Sequence, residues 1–143
     1  MEKIRTITIQ QGAGRAAVTL IMHITDGKGL CGFLFGGETP HVGGVVYSIP
    51  RYDRDEDHLT TDVSTICGPG HRDVLAAQRV AAAISVATGE STCITAGIHI
   101  DRATPDEIKA LMDNCMEISN RFIAGLKGNS QGVTGEQSES DQL

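Results

Sequence analysis

Thr65-Ile66-Cys67-Gly68-Pro69-Gly70-His71-Arg72-Asp73 is the stretch on which the fold of this chain turns. Before it, from Ile4 to Cys67, apolar and polar residues alternate with the two-residue period of strands. After it, from Arg72 to Thr88, Ala, Val, Leu and Ile crowd together in a helical pattern that Gly89 ends. Gly-Pro-Gly between the two is a tight turn. The segment therefore reads as strand, turn and helix, with His71, Arg72 and Asp73 opening the helix.

Upstream, Ile4–Gln10 forms a first strand and Gly12-Ala13-Gly14 turns the chain. Ala16–Ile24 is a second, with Val18, Leu20, Met22 and Ile24 on one face and Thr19, Ile21 and His23 on the other. Asp26-Gly27-Lys28-Gly29 gives a hairpin signal. Leu30–Phe35 and Val42–Ile49 follow, the latter expected to end at Pro50, and Thr61–Cys67 is the fifth strand. Arg51 to His58 between them reads as a solvated loop or bent hairpin.

Downstream, Thr92–Ile98 is a sixth strand, with His99 on the face of Cys93, Thr95 and Gly97. Thr104-Pro105-Asp106-Glu107 matches a capping box with proline at the first helical position. Ile108, Leu111, Met112, Cys115, Ser119, Phe122 and Ile123 then mark the buried stripe of an amphipathic helix. The order βββββαβα describes an α+β fold: a mainly antiparallel sheet of about six strands with two helices packed on one face.

The 143 residues suffice for one domain, read as 1–127. From Gly128 to Leu143 the chain is Gly, Ser, Gln and acid, too polar to offset its ordering entropy, and is expected to be a disordered tail. Glu136, Glu139 and Asp141 in that tail carry half of the net charge of −6, so the domain itself is only mildly acidic. With no basic stripe, no tryptophan and few aromatics, nucleic acid is not an expected partner. No apolar run approaches the ~18 residues of a membrane span, and Met1-Glu2-Lys3-Ile4 has no signal-peptide core. A cytoplasmic protein is expected. Cys31, Cys67, Cys93 and Cys115 form no Cys-x-x-Cys pair and read as buried, reduced thiols.

Two features carry chemistry. The turn Gly68-Pro69-Gly70 with His71 and Arg72 places unpaired N–H groups and a guanidinium together, which suits a phosphate as well as it suits a plain turn. It is neither a P-loop nor a dinucleotide fingerprint. The second feature is His41, His71 and His99, each beside a glycine-rich turn, with Gly43 and Gly44 following the first. They either ligate a divalent metal, line a ligand, or are hydrogen-bonded structural histidines. No serine or cysteine has a nucleophile context, so an enzyme is less expected than a binding protein.

His41-Val-Gly-Gly-Val-Val46, Gly68-Pro-Gly-His-Arg-Asp73 and Thr95-Ala-Gly-Ile-His-Ile-Asp-Arg-Ala-Thr-Pro-Asp-Glu-Ile108 resemble the LpdD-like family over roughly Ile4 to Leu126. That resemblance implies a chaperone for prenylated FMN, the cofactor of UbiD-type hydroxyarylic acid decarboxylases. It implies a flavin (prenylated FMN or FMN) as ligand and such a decarboxylase as partner. A flavin phosphate would lie at Gly68, Pro69, Gly70, His71 and Arg72, near Gly43 and Gly44. Val42, Val45, Val46 and Ile98 would wall the ring. The alternatives are a small metalloenzyme using His41, His71 and His99, and a non-catalytic accessory subunit of a decarboxylase. The alanine-rich helix and glycine-rich strands make a symmetric homo-oligomer an expectation.

Overall fold

The structure is a computed structural model, and it describes residues 3–70 and 73–131. Six strands, β1 (Arg5–Gln11), β2 (Val18–Ile24), β3 (Leu30–Gly37), β4 (Gly44–Asp53), β5 (His58–Cys67) and β6 (Thr92–His99), form one sheet. Helix α1 (Val74–Thr88) precedes β6 and α2 (Pro105–Gln131) follows it. The α+β reading with two helices on one face holds. Five-strand alternation with polar turns gives antiparallel neighbours, whereas the long excursion through α1 returns β6 parallel to β3.

The order across the sheet is β1-β2-β3-β6-β4-β5. β6 thus inserts between β3 and β4, so the connection from β3 to β4 has to pass over the end of β6. That crossing builds the site described below.

Val18, Leu20 and Met22 of β2, Leu34 of β3, Val46 of β4 and Ile94 of β6 point to the helical layer and are fully buried. Val80, Ala81 and Ile84 of α1 and Cys115, Ile118 and Phe122 of α2 meet them. Burial of each large side chain stabilises by roughly 1.5–3 kcal/mol. The small Ala77 and Ala81, both fully buried, let α1 lie close to β4 and β6. Cys115 carries this burial in its chemistry: desolvation pushes its thiol up to about 12.

The capping box forms as read. Thr104 Oγ1 accepts the Glu107 N–H at 3.1 Å, and Glu107 Oε1 accepts the Thr104 N–H at 3.1 Å. Gly89 closes α1, its N–H donating to the Ser85 carbonyl at 2.8 Å.

The structure differs from the sequence reading at several boundaries, at one core position and in two thiols, since Cys31 and Cys67 are exposed rather than buried. β4 does not end at Pro50 but pairs through Asp53, with Pro50 opposite Thr61. Its pairing with β6 stops at Ser48, so Pro50 lies where one side of β4 is an edge and a missing N–H costs nothing. α1 begins at Val74 rather than Arg72. α2 continues through Gln131, past the expected start of the tail, and residues 132–143 lie outside the described residues. Ile108, expected on the buried stripe, is 53% exposed, and Ile118 takes its place in the core.

Candidate functional site

Three elements converge at the C-terminal end of β6. The β3–β4 connection clings to this end: the Glu38 N–H donates to the His99 carbonyl and the Gly43 N–H to the Ala96 carbonyl, each at 2.7 Å. The passage is so close that a Cβ on Gly97 would stand 1.3 Å from the His41 carbonyl oxygen. Only glycine at 97 leaves room for the crossing. The same closeness delivers the His41 ring to the start of α1.

Asp73, immediately before α1, does not cap its own helix. Its buried carboxylate reaches across instead. Oδ2 accepts the Ile98 N–H of β6 at 2.9 Å and lies 3.2 Å from His41 Nε2. His41 Nδ1 pairs with the Thr39 carbonyl at 2.9 Å. One carboxylate thus ties β6, the β3–β4 connection and the start of α1 together, in a partly desolvated place where charge-assisted bonds are strong. His99, on the exposed side, stands edge-on to His41 with ring centres 6.4 Å apart. Arg15 completes the frame: it bonds to the Asp101 carbonyl and pairs with Glu38 and Glu107, each at 3.2 Å.

Beside this junction a cleft of about 550 Å³ opens between the two helices and the end of β6. Its walls are apolar. Leu75 and Ala76 come from α1, Ile98, Ile100 and Ala103 from β6 and the turn after it, and Ile108, Leu111 and Met112 from α2. Its polar rim holds Gly70, Asp73, Arg79 and His99. The volume lies within the ~300–1,000 Å³ of sites for small organic ligands, and an apolar wall with few polar groups is their usual lining.

The expected site residues divide accordingly. Gly70 and His99 line the cleft, and His41 stands behind it on Asp73. Gly70 has φ +74° with open space where a Cβ would lie, so the turn itself needs glycine there. Gly68 and Pro69 complete that turn, with the Gly68 N–H donating to the Gly43 carbonyl at 2.8 Å. His71 and Arg72 lie outside the described residues. Gly43 and Gly44 are buried and do not line the cleft; the place of a Gly44 Cβ is filled by Val74 of α1. Of the expected ring wall only Ile98 lines the cleft: Val46 belongs to the core, its neighbour Val45 points to the opposite sheet face, and Val42 is exposed on the β3–β4 connection.

The metal expectation finds no support. Among the described residues no three His, Cys, Asp or Glu side chains come together in a way that could hold an ion. Both ring nitrogens of His41 already face protein oxygens. Among the described residues no helix is long and apolar enough to cross a membrane.

Sequence reasoning missed Arg79 and the α2 wall. A signal was present: Leu75, Ala76 and Arg79 share one helical face, as do Ile108, Leu111 and Met112. That the two faces look at each other is tertiary information.

Among curated proteins none matches the chain. Its fold is similar to that of a chain in the crystal structure of a novel chaperone complex for yeast 20S proteasome assembly. The TM-score is 0.57 at 15% identity, over 89% of this chain and 98% of that one. Likeness at that identity concerns the fold alone. Residues 12–127 match the model of the prenylated flavin chaperone LpdD-like domain. Nearly the whole described domain is covered, and the chain belongs to the prenylated flavin chaperone LpdD-like family.

Proposed function

We propose that this chain is a cytoplasmic carrier of prenylated FMN that supports maturation of a UbiD-type aromatic acid decarboxylase, with the flavin held in the cleft between α1 and α2. The observation that carries the reading is an apolar cleft with Gly70 of the turn before α1 and Arg79 of α1 in its lining. The ring system and prenyl group need apolar walls, which Ala76, Ile98, Leu111 and Met112 supply. The phosphate needs N–H donors and a cation. The turn at Gly68–Gly70 leads into the first turn of α1, whose N–H groups have no partner inside the helix. Arg79 lies on the same rim, and Arg72, two residues before α1 in the sequence, is the second candidate clamp. Asp73 is kept from opposing the phosphate by being committed to the Ile98 N–H and His41. A carrier needs no nucleophile or acid–base pair, and its part is to bind, orient and shield the ligand.

Titration of FMN and prenylated FMN into wild type, Arg72→Ala and Arg79→Ala, followed by flavin fluorescence, tests the site. Loss of one phosphate-facing arginine is expected to weaken binding at least about tenfold, from the ~1.5–3 kcal/mol of a hydrogen bond to a charged group. Wild type that binds neither flavin would end the reading. Unchanged binding by both variants would move the phosphate elsewhere.

A further inference from the structure

Arg15 stands outside the cleft, yet it is joined to three of the elements that frame it. Its guanidinium leaves the short 3-10 turn Gly14–Ala16 that precedes β2. Nη2 donates to the Asp101 carbonyl and lies 3.2 Å from Glu38 Oε1, while Nε lies 3.2 Å from Glu107 Oε2. Glu38 returns to the same residue, its Oε1 accepting the Asp101 N–H at 3.0 Å. Both backbone polar groups of Asp101 are thus taken by side chains from distant parts of the chain. Glu107 holds the far end of the same turn through the Thr104 N–H.

The turn needs holding. Residues 100–104 join β6 to α2, and Arg102 among them has φ +50°, in the left-handed region that a residue with a Cβ seldom adopts. Such backbone persists where the surroundings over-determine it, and it gathers at ligand clamps. This turn supplies Ile100 and Ala103 to the cleft wall, between Ile98 of β6 and Ile108 of α2. A single exposed ion pair contributes little. Here one planar fork spreads to two carboxylates and a carbonyl, so it fixes direction as well as distance. Without it Glu38 and Glu107 lose the cation they share, and like charge drives the turn away from the helix start.

We infer that Arg15, together with Glu38, is a positioning residue for the bound flavin. It fixes the turn at 100–104, and through Ile100 and Ala103 it sets the width of the cleft on its α2 side. The inference rests on the flavin reading above and adds to it a group outside the cleft lining.

Two measurements on the full chain test it: titration of prenylated FMN followed by flavin fluorescence, and amide exchange followed by NMR. Arg121 gives the matched control, because its Nη1 also ties α2 to a distant carbonyl, that of Gln10 at 2.7 Å, but away from the cleft. Arg15→Met is expected to bind prenylated FMN about tenfold more weakly, as for the lost contact of one apolar wall residue. Arg15→Lys, which keeps the charge but not the fork, is expected to fall between it and wild type. Arg121→Met is expected to bind as wild type even where its melting temperature drops as far. The Asp101 amide should exchange at least about tenfold faster in Arg15→Met while the Ile94 amide within β6 stays protected, which separates local loosening from global loss of stability. Unchanged exchange at Asp101, faster exchange with unchanged affinity, or equal weakening by Arg121→Met would each overturn the assignment. Wild type that fails to bind prenylated FMN would remove the flavin from both readings, while exchange at Asp101 would still decide whether Arg15 holds the turn.

Discussion

Gly97→Ala places one methyl group where the β3–β4 connection crosses β6. The added carbon would lie 1.3 Å from the His41 carbonyl oxygen and 2.4 Å from its carbon, whereas ordinary contact begins at 3.4 Å. The obstacle is backbone, so no rotamer change relieves it, and the connection has to rise by about 2 Å. A rise of that size breaks the two 2.7 Å bonds that hold the connection to β6, from the Glu38 N–H and the Gly43 N–H. Each is worth about 1 kcal/mol net, and overpacking adds ~1–3 kcal/mol. The sum is on the order of 3–5 kcal/mol, a large share of a total of ~5–15 kcal/mol. For a domain of this size that lowers the melting temperature by roughly 10–15 °C. The rise also draws His41 away from Asp73, so flavin affinity falls even at temperatures where the variant is folded. Thermal melts by circular dichroism and a flavin titration measure the two effects. A variant that melts within about 2 °C of wild type, less than a 1 kcal/mol change would produce, would refute the account of the crossing.

Thr104→Ala removes the acceptor of the Glu107 N–H and is expected to cost about 1 kcal/mol, read as a drop of a few degrees in melting temperature; an unchanged melt would mean that the box contributes nothing to the helix. Cys115 should escape thiol reagents at pH 8 until denaturant is added, while exposed Cys67 reacts at once; equal native-state rates, resolved by mass spectrometry, would contradict the burial of Cys115. The same raised thiol makes stability depend on pH. The folded state keeps its proton to about 12 whereas the unfolded thiol loses it near 9.0, so this contribution is complete below pH 9.0 and declines as pH rises from there toward 12. Cys115→Ala should abolish that part of the alkaline decline, and an identical slope in the variant would assign the decline to other groups.

The local order of the chain was legible in its residues because it depends on neighbours a few positions apart. The alternation from Ile4 to Cys67, the Gly-Pro-Gly turn, and the Thr104–Glu107 box each specify a piece of backbone without reference to the rest. Side-chain period two also settled which residues share a sheet face, and so placed His99 with Cys93 and Thr95 before any pairing was known. The segments from His41, Gly68 and Thr95 carried the family resemblance. What tertiary structure alone decided is the insertion of β6 between β3 and β4. That choice is made by long-range pairing, which leaves no local period to read. From it follow the crossing at Gly97, the bridge from Asp73 to Ile98 and His41, and the facing of Leu75 and Arg79 toward Leu111 and Met112. Gly44 shows the same limit from the other side. A glycine beside a histidine turn looks the same in sequence whether it faces a ligand or a helix, and only tertiary structure shows that the place of a Gly44 Cβ is occupied by Val74.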